Sequence, residues 1–226
     1  MRRGSAALVT LVVLAVLIVV GYSSYAAFTV YQDLENGRSS LASAQASLIA
    51  SQRSADQEGL QSVAGQLQQA ERDFSDASQR ARQDPALRLA GALPGSGEQI
   101  DAAARLGMIG ADLSRAGQAA TAIALQVAAL RQQYSGRALT PDDLQAILQR
   151  AQTIAANYKG SIDQIGLQLR AAHAERAKVT TTGLVSPLQN AYAEVDRALD
   201  RADTAFLRYQ DLRSVLSDLL GLPVAG

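Results

Sequence analysis

The feature that most limits how this chain can fold is a run without charged residues from Gly4 to Gln32. Leucine, valine and isoleucine fill most of positions 8–20. A helix rises about 1.5 Å per residue, so about 20 apolar residues are needed to cross a hydrocarbon core about 30 Å thick. The run is long enough, and the sequence predicts one transmembrane helix, at residues 6–31.

The charges on either side of this helix predict its orientation. Arg2 and Arg3 precede it, whereas Asp33 and Glu35 follow it with Arg38 as the nearest positive charge. Arginine and lysine are retained on the cytoplasmic side of a membrane. We therefore expect residues 1–5 in the cytoplasm and residues 32–226 outside it, in a protein of the cell membrane.

Aromatic residues mark the outer end of the predicted span: Tyr22, Tyr25, Phe28 and Tyr31. Because such rings favour the headgroup layer, we expect these four at the membrane interface, with membrane lipid as a partner. A cleaved secretory signal is the alternative, since Ser24-Tyr25-Ala26 fits a small-x-small cleavage site. The apolar run is longer than the ~7–15 residues usual for such a signal, which favours a retained anchor.

Beyond residue 32 the composition favours helices, because aromatic residues make up only 4% of the chain and Trp and Cys are absent. Proline and glycine interrupt the pattern at 84–97, 135–141 and 180–187. Four helices result, each with apolar residues at alternating spacings of three and four. These residues include Leu60, Val63, Leu67, Ala70, Phe74, Ala77 and Ala81 in the first helix; Ala102, Leu106, Ile109, Leu113, Ala116, Ala120, Ile123, Val127, Leu130 and Tyr134 in the second; Ile162, Ile165, Leu169 and Ala172 in the third; and Leu188, Tyr192, Val195, Leu199 and Phe206 in the fourth.

These stripes predict an all-α fold, in which the N-terminal transmembrane helix is followed by an elongated antiparallel helical bundle or coiled coil of about four helices. We expect the first helix to run from the membrane to about Arg82, with an irregularity between Ser51 and Gly59 where the repeat changes phase. Such a helix would form a stalk about 75 Å long.

No group of residues predicts a catalytic, cofactor-binding or metal site, so we do not expect an enzyme. His173 is the only histidine, and the residues three and four positions away on its helix cannot orient its ring. The charged run from Glu194 to Asp203 is typical of a solvated helix face. The formal net charge of zero argues against nucleic acid as a partner, and we predict no small-molecule ligand.

The stretches Asp84-Pro85-Ala86-Leu87-Arg88-Leu89-Ala90 and Gly183-Leu184-Val185-Ser186-Pro187-Leu188 are similar to parts of one bacterial family. Together with Leu93-Pro94-Gly95 and Leu219-Leu220-Gly221, they make the chain resemble the N-terminal helical half of the membrane proteins called domain of unknown function 4012. The resemblance implies a protein of high-GC Gram-positive bacteria with one N-terminal span and no established activity. That family continues into a larger domain, so we expect a truncated relative or a fragment.

Three classes of function follow from these features. The leading hypothesis is a membrane-anchored cell-envelope protein with a non-catalytic helical interaction or spacer domain. Its partner would be another envelope protein or the C-terminal domain that the resemblance implies. The alternative is the extracytoplasmic sensing domain of a receptor-like membrane protein, although such receptors return through a second span. An enzyme would need polar groups converging in a pocket.

Overall fold

The computed structural model describes residues 24–48, 57–93, 95–134, 145–146, 149–150, 153, 156 and 159–220. Side chains at 130–131, 134 and 208–220 are not part of that description. The helices are α1 (24–48), α2 (Gln57–Gln83), α3 (Pro85–Ala90), α4 (Ser96–Tyr134), α5 (Lys159–Ala177) and α6 (Ser186–Leu220). No strand occurs in these ranges, so the predicted all-α bundle is confirmed there.

The centre of the bundle is the contact between α2 and α4, which run in opposite directions. The seven apolar residues predicted to face the core between residues 60 and 81 are all buried on α2: Leu60, Val63, Leu67, Ala70, Phe74, Ala77 and Ala81. On α4, the predicted residues Ala102, Leu106, Ile109 and Ala116 are buried as well. The sequence pattern therefore identified the inner face of α2 and of the first half of α4. Farther along α4 the prediction is wrong, because Ala120 and Val127 are exposed and Thr121 and Ala128 are buried instead.

The predicted stalk is wrong, because α1 folds back along α2. Arg80 Nε lies 3.1 Å from Asp33 Oδ2, and Ala44 is buried in one cluster with Val63 and Leu67. In one continuous helix, the 47 positions between Asp33 and Arg80 would separate them by about 70 Å. Folding back lets the apolar stripe of each helix cover the other, which a lone amphipathic stalk cannot do in water.

The remaining helices α5 and α6 form an antiparallel pair packed on α4. Ile162, Leu169 and Ala172 are buried on α5, as are Tyr192 and Leu199 on α6. The predicted seams of the third and fourth helices are thus confirmed at these positions. The bundle contains more helices than the four predicted, because the first one is a hairpin and α3 lies within the first helix-stopping segment.

Two of the three predicted breaks fall on described residues. At the first, Asp84 Oδ1 accepts hydrogen bonds from the backbone N–H groups of Ala86 and Leu87, at 2.8 and 3.3 Å, and Pro85 begins α3. This is the expected chemistry of a helix N-terminus. At the other, residues 178–185 connect α5 to α6. The break at 135–141 lies outside the described residues.

The predicted membrane span lies largely in residues 1–23, outside the described part of the chain. Ala26 and Val30, near the start of α1, are buried in the core of the bundle. Packing of the bundle therefore begins before residue 32, where the extracytoplasmic domain was predicted to start. Among the described residues, no helix has both the length and the apolar character needed to cross a bilayer.

Candidate functional site

The start of α1 has one face in the bundle and one face in solvent. Ala26 and Val30 point into the core, whereas Tyr25, Phe28 and Tyr31 are 65%, 56% and 54% exposed. A spacing of three places these aromatic residues on the same side of a helix. The structure thus brings together three of the four residues predicted at the membrane interface. Tyr22, and the topology residues Arg2 and Arg3, lie outside the described residues.

Three chain segments meet at the end of the bundle where α1 begins. We call them together the loop end: residues 24–31 of α1, residues 84–93 and 95 between α2 and α4, and residues 178–185 between α5 and α6. Antiparallel packing places them together, since α2 and α5 finish there while α1, α4 and α6 begin. Ala26, Leu87 and Leu184 belong to one buried cluster that closes this end of the core.

Side-chain hydrogen bonds hold the two connections against α4. Gln99 Nε2 donates to the backbone oxygen of Gly183 at 2.9 Å, and Gln99 Oε1 accepts from the N–H of Val185 at 3.0 Å. The Ser96 hydroxyl donates to the backbone oxygens of Ala90 and Leu93. Because α4 provides both residues from its first turn, the two connections have a common rigid support.

Glycine is required at two positions in these connections. Gly95 and Gly183 have φ angles of 82° and 90°, a region that residues with a Cβ seldom adopt. Each glycine lies just before a helix, so the positive φ allows the chain to reverse direction within a few residues.

Both connections expose apolar side chains next to buried ones. Helix α3 buries Leu87, and the α5–α6 connection buries Leu184. In contrast, Leu89, Leu93 and Val185 are more than half exposed. Sequence reasoning missed these exposed residues, since they lie within helix-stopping segments that have no apolar repeat. The sequence did contain a signal for these residues, namely large aliphatic residues close to Pro85 and Gly183. Turns that face solvent usually have polar residues at such positions.

Two carboxylates of the charged run on α6 form ion pairs with other helices. Arg38 of α1 binds both carboxylate oxygens of Glu194, at 2.8 and 2.9 Å, and Arg176 of α5 binds Asp196 in the same bidentate way. The Glu194 and Asp196 side chains are still 42% and 47% exposed, so the run faces solvent as predicted, but it also binds neighbouring helices. The partners belong to other helices, so spacing along α6 alone could not reveal them.

His173 also has a partner that the sequence did not suggest. Its Nε2 lies 2.8 Å from Asp203 Oδ2 of α6, and both side chains are largely exposed. Spacing along α5 could not reveal this partner, because Asp203 belongs to α6. Within the described residues, no group of three potential metal ligands surrounds this pair or any other site.

A polar cluster crosses from α5 to α4 near the loop end. Arg105 binds Glu175 at 2.7 Å, and Lys178 binds the same carboxylate at 2.5 Å. Burial acts to raise the pKa of Glu175, but hydrogen bonds and charges from Lys178 and Arg105 outweigh it and hold this pKa below its usual value. The Glu175 carboxylate is thus kept ionised by two cations and serves as a link between helices.

An open depression of about 400 Å³ lies beside the α5–α6 connection. Arg176, Thr181, Thr182, Gly183, Gln189, Ala193 and Asp196 line it. The two charged groups of this lining bind each other, and Arg176 also donates to the backbone oxygen of Val179 at 3.0 Å. Burial raises the pKa of Tyr192, which lies beneath the Arg176 guanidinium. These contacts stabilise the connection.

The comparisons with known proteins add no relative to this picture. The chain matches no family model, no curated protein and no solved structure. Its resemblance to domain of unknown function 4012 accordingly stays a prediction from sequence motifs.

Proposed function

We propose that this chain is a single-pass membrane protein of the bacterial cell envelope, with its N-terminus in the cytoplasm and its helical bundle outside. The bundle acts as a non-catalytic spacer or interaction domain. The observation that carries this proposal is the position of the apolar run, which leads directly into α1 at the loop end. One end of the bundle is therefore attached to the anchor, and the long axis of the bundle leads away from the anchor.

The packing of α1 shortens the stretch of residues that we propose to cross the membrane. Ala26 and Val30 are buried against other helices and are not available to face lipid. The 18 residues from Ala6 to Ser23 remain, and a helix of this length would be about 27 Å long. That length fits the ~17–25 residues found in transmembrane helices. Tyr25 and Phe28 would then lie in the headgroup layer on the outer side.

A spacer role is supported by the dimensions and chemistry of the bundle. The 39 residues of α4 give a helix about 58 Å long. Its contacts with α2 and α5 are mainly apolar, and the charged residues between helices are paired with one another. Catalysis would instead need a concave site with unpaired polar groups of shifted pKa.

Two reporters fused in turn after Gly226 test the proposed topology. Alkaline phosphatase, which is active only outside the cytoplasm, should be active there, and a fluorescent protein that folds only in the cytoplasm should be dark. The reverse pattern would show that the bundle lies inside and would overturn the proposal. Membrane pellets washed with carbonate provide the second measurement, because a cleaved secretory signal would release the bundle from the pellet.

A further inference from the structure

We propose that the loop end of the bundle rests directly on an anionic lipid surface, so that the bundle stands on the membrane by this end. The inference rests on the proposed function, because it assumes that residues before Ser24 enter the bilayer. It adds that residues far from the anchor in sequence, in the α2–α4 and α5–α6 connections, also contact the headgroups.

The distribution of exposed apolar residues supports this contact. Nine large hydrophobic side chains in the described part of the chain are more than half exposed. Six of them belong to the loop end: Tyr25, Phe28, Tyr31, Leu89, Leu93 and Val185. Exposed apolar residues scattered singly are normal, but such a concentration at one end marks a contact surface.

The heights of these residues along the bundle are comparable with the thickness of the headgroup layer. Arg38 pairs with Glu194, and α1 and α6 run in the same direction, so Ser186 lies about level with Val30. Val30 is six residues beyond Ser24, or about 9 Å along the helix. The headgroup region of one leaflet is about 5–7 Å thick, so the first turn of α1 lies within it and the start of α6 lies a few Å beyond its outer edge.

The conformation of the connections is suited to such a contact. Leu87 and Leu184 are buried and fix each connection to the core, while Leu89 and Val185 next to them face outward. Gln99 holds the second connection through two hydrogen bonds. The exposed side chains are therefore presented by an ordered backbone, and little conformational entropy is lost when they enter lipid.

The charges at this end favour an anionic surface. Arg82 and Arg88 are exposed and form no ion pair with another described residue. The nearby carboxylates are Asp84, which caps α3, and the exposed Glu98, so the two arginines act through their position beside the exposed apolar residues and not through an excess of positive charge. Basic residues close to an anionic leaflet each strengthen binding by about fivefold. Arginine beside exposed leucine is also the combination that interfacial protein segments use.

Quenching by lipid tests the inference on the full chain reconstituted in phosphatidylglycerol vesicles. The chain contains no cysteine, so Leu93→Cys, or Val185→Cys if the first variant does not fold, introduces a unique site for a fluorescent label. Val127→Cys is the matched control, since Val127 is also exposed but lies 31 residues beyond Ser96 on α4, about 46 Å away. Lipids carrying a nitroxide on the headgroup should quench the label at 93 or 185 and leave the label at 127 bright.

The outcomes separate this inference from the proposed function. Vesicles that carry the protein but leave the labels at 93 and 185 bright would overturn the contact and keep the anchor. Equal quenching at 127 would show a bundle lying on its side, which also overturns it. Protein that does not float with the vesicles contradicts the anchor itself. Arg82→Glu with Arg88→Glu should weaken quenching, and equal quenching in phosphatidylcholine would overturn the requirement for anionic lipid.

Discussion

The contact between α2 and α4 and the attachment of α6 to the bundle use different chemistry. Between α2 and α4, the Phe74 ring packs against Gly110, while Gly107 lies close to the backbone of Phe74 and to Ser78. On α6, Tyr192 and Leu199 enter the core, while Glu194, Asp196 and Asp203 pair with basic residues of α1 and α5. The first contact is close and largely apolar, with one ion pair between Arg115 of α4 and Glu71 of α2, whereas the second includes three exposed pairs.

This difference indicates where the stability of the bundle resides. Exposed ion pairs contribute about 0–1 kcal/mol each, whereas a buried aromatic side chain contributes several times that amount. We therefore infer that α2 and α4 provide most of the free energy of unfolding. The charged pairs of α6 mainly select its orientation on α1 and α5.

Replacing Phe74 by Ala should give the largest effect. The side chain is buried against both α1 and α4, so its loss removes apolar contact and leaves a cavity, at a cost of about 3–5 kcal/mol. Urea unfolding of the full chain in detergent measures it. Phe28→Ala is the control, because Phe28 is exposed and the same truncation should change little. Similar losses in both variants would contradict the central role of α2–α4.

Leu199→Ala tests whether α6 shares the common core. Leu199 is 2% exposed, and the substitution should cost about 2–4 kcal/mol. Leu207→Ala, on an exposed position of the same helix, serves as the control. If the two variants have the same thermal midpoint as the parent, α6 is held by its ion pairs alone.

Gly107→Ala examines how closely α2 and α4 approach. A Cβ at this position would lie 2.6 Å from the backbone oxygen of Phe74, so the helices must separate, at a cost of about 1–3 kcal/mol. Gly65→Ala has no atom within 4 Å of the new Cβ and should stabilise α2 by about 0.4–1 kcal/mol. Chemical denaturation that gives the same sign for both variants would refute the close approach.

The smallest effect should be the pH dependence contributed by Glu175. Its pKa is lowered by folding, so its contribution to stability is complete above the unfolded value of 4.5 and is lost as the pH falls through the lower folded-state pKa. Glu175→Gln should therefore reduce the acid-induced loss of stability in that window. Parallel profiles of unfolding free energy against pH for the two proteins would show that Lys178 and Arg105 do not stabilise the ionised carboxylate.

Apolar periodicity predicted the inner faces of the helices but not the path of the chain between them. Every seam residue from Leu60 to Ala81 is buried, because a stripe with helical spacing can be covered only by another apolar surface. The same stripe on α1, with Leu34, Leu41 and Leu48, is compatible with a continuous helix or a hairpin. Contacts between distant segments determine which helix covers this stripe. The spacing of residues along α1 does not show those contacts.

The candidate site was also predicted only in part, because local spacing identified some of its residues and not others. Tyr25, Phe28 and Tyr31 were identified because they follow the apolar run at helical spacing, and the structure groups them on one exposed face. Leu89, Leu93 and Val185 were not identified, since they join this group only when α2, α4, α5 and α6 pack. The same reason applies to the pair of His173 with Asp203, 30 positions apart in the chain.

The position of the Phe74 ring between Gly37 of α1 and Gly110 of α4 also determines how the bundle responds to force along its axis. Sliding α4 by one turn, about 5.4 Å, would replace Gly110 by Leu106 or Ser114 in front of the ring. The ring would have to leave its place before any such step, so axial sliding and loss of core packing are coupled. A receptor that signals by a piston movement needs helices that slide along each other without losing their core packing. Tension or compression applied to one end of α2 is therefore shared with α4, and the two helices move as one strut.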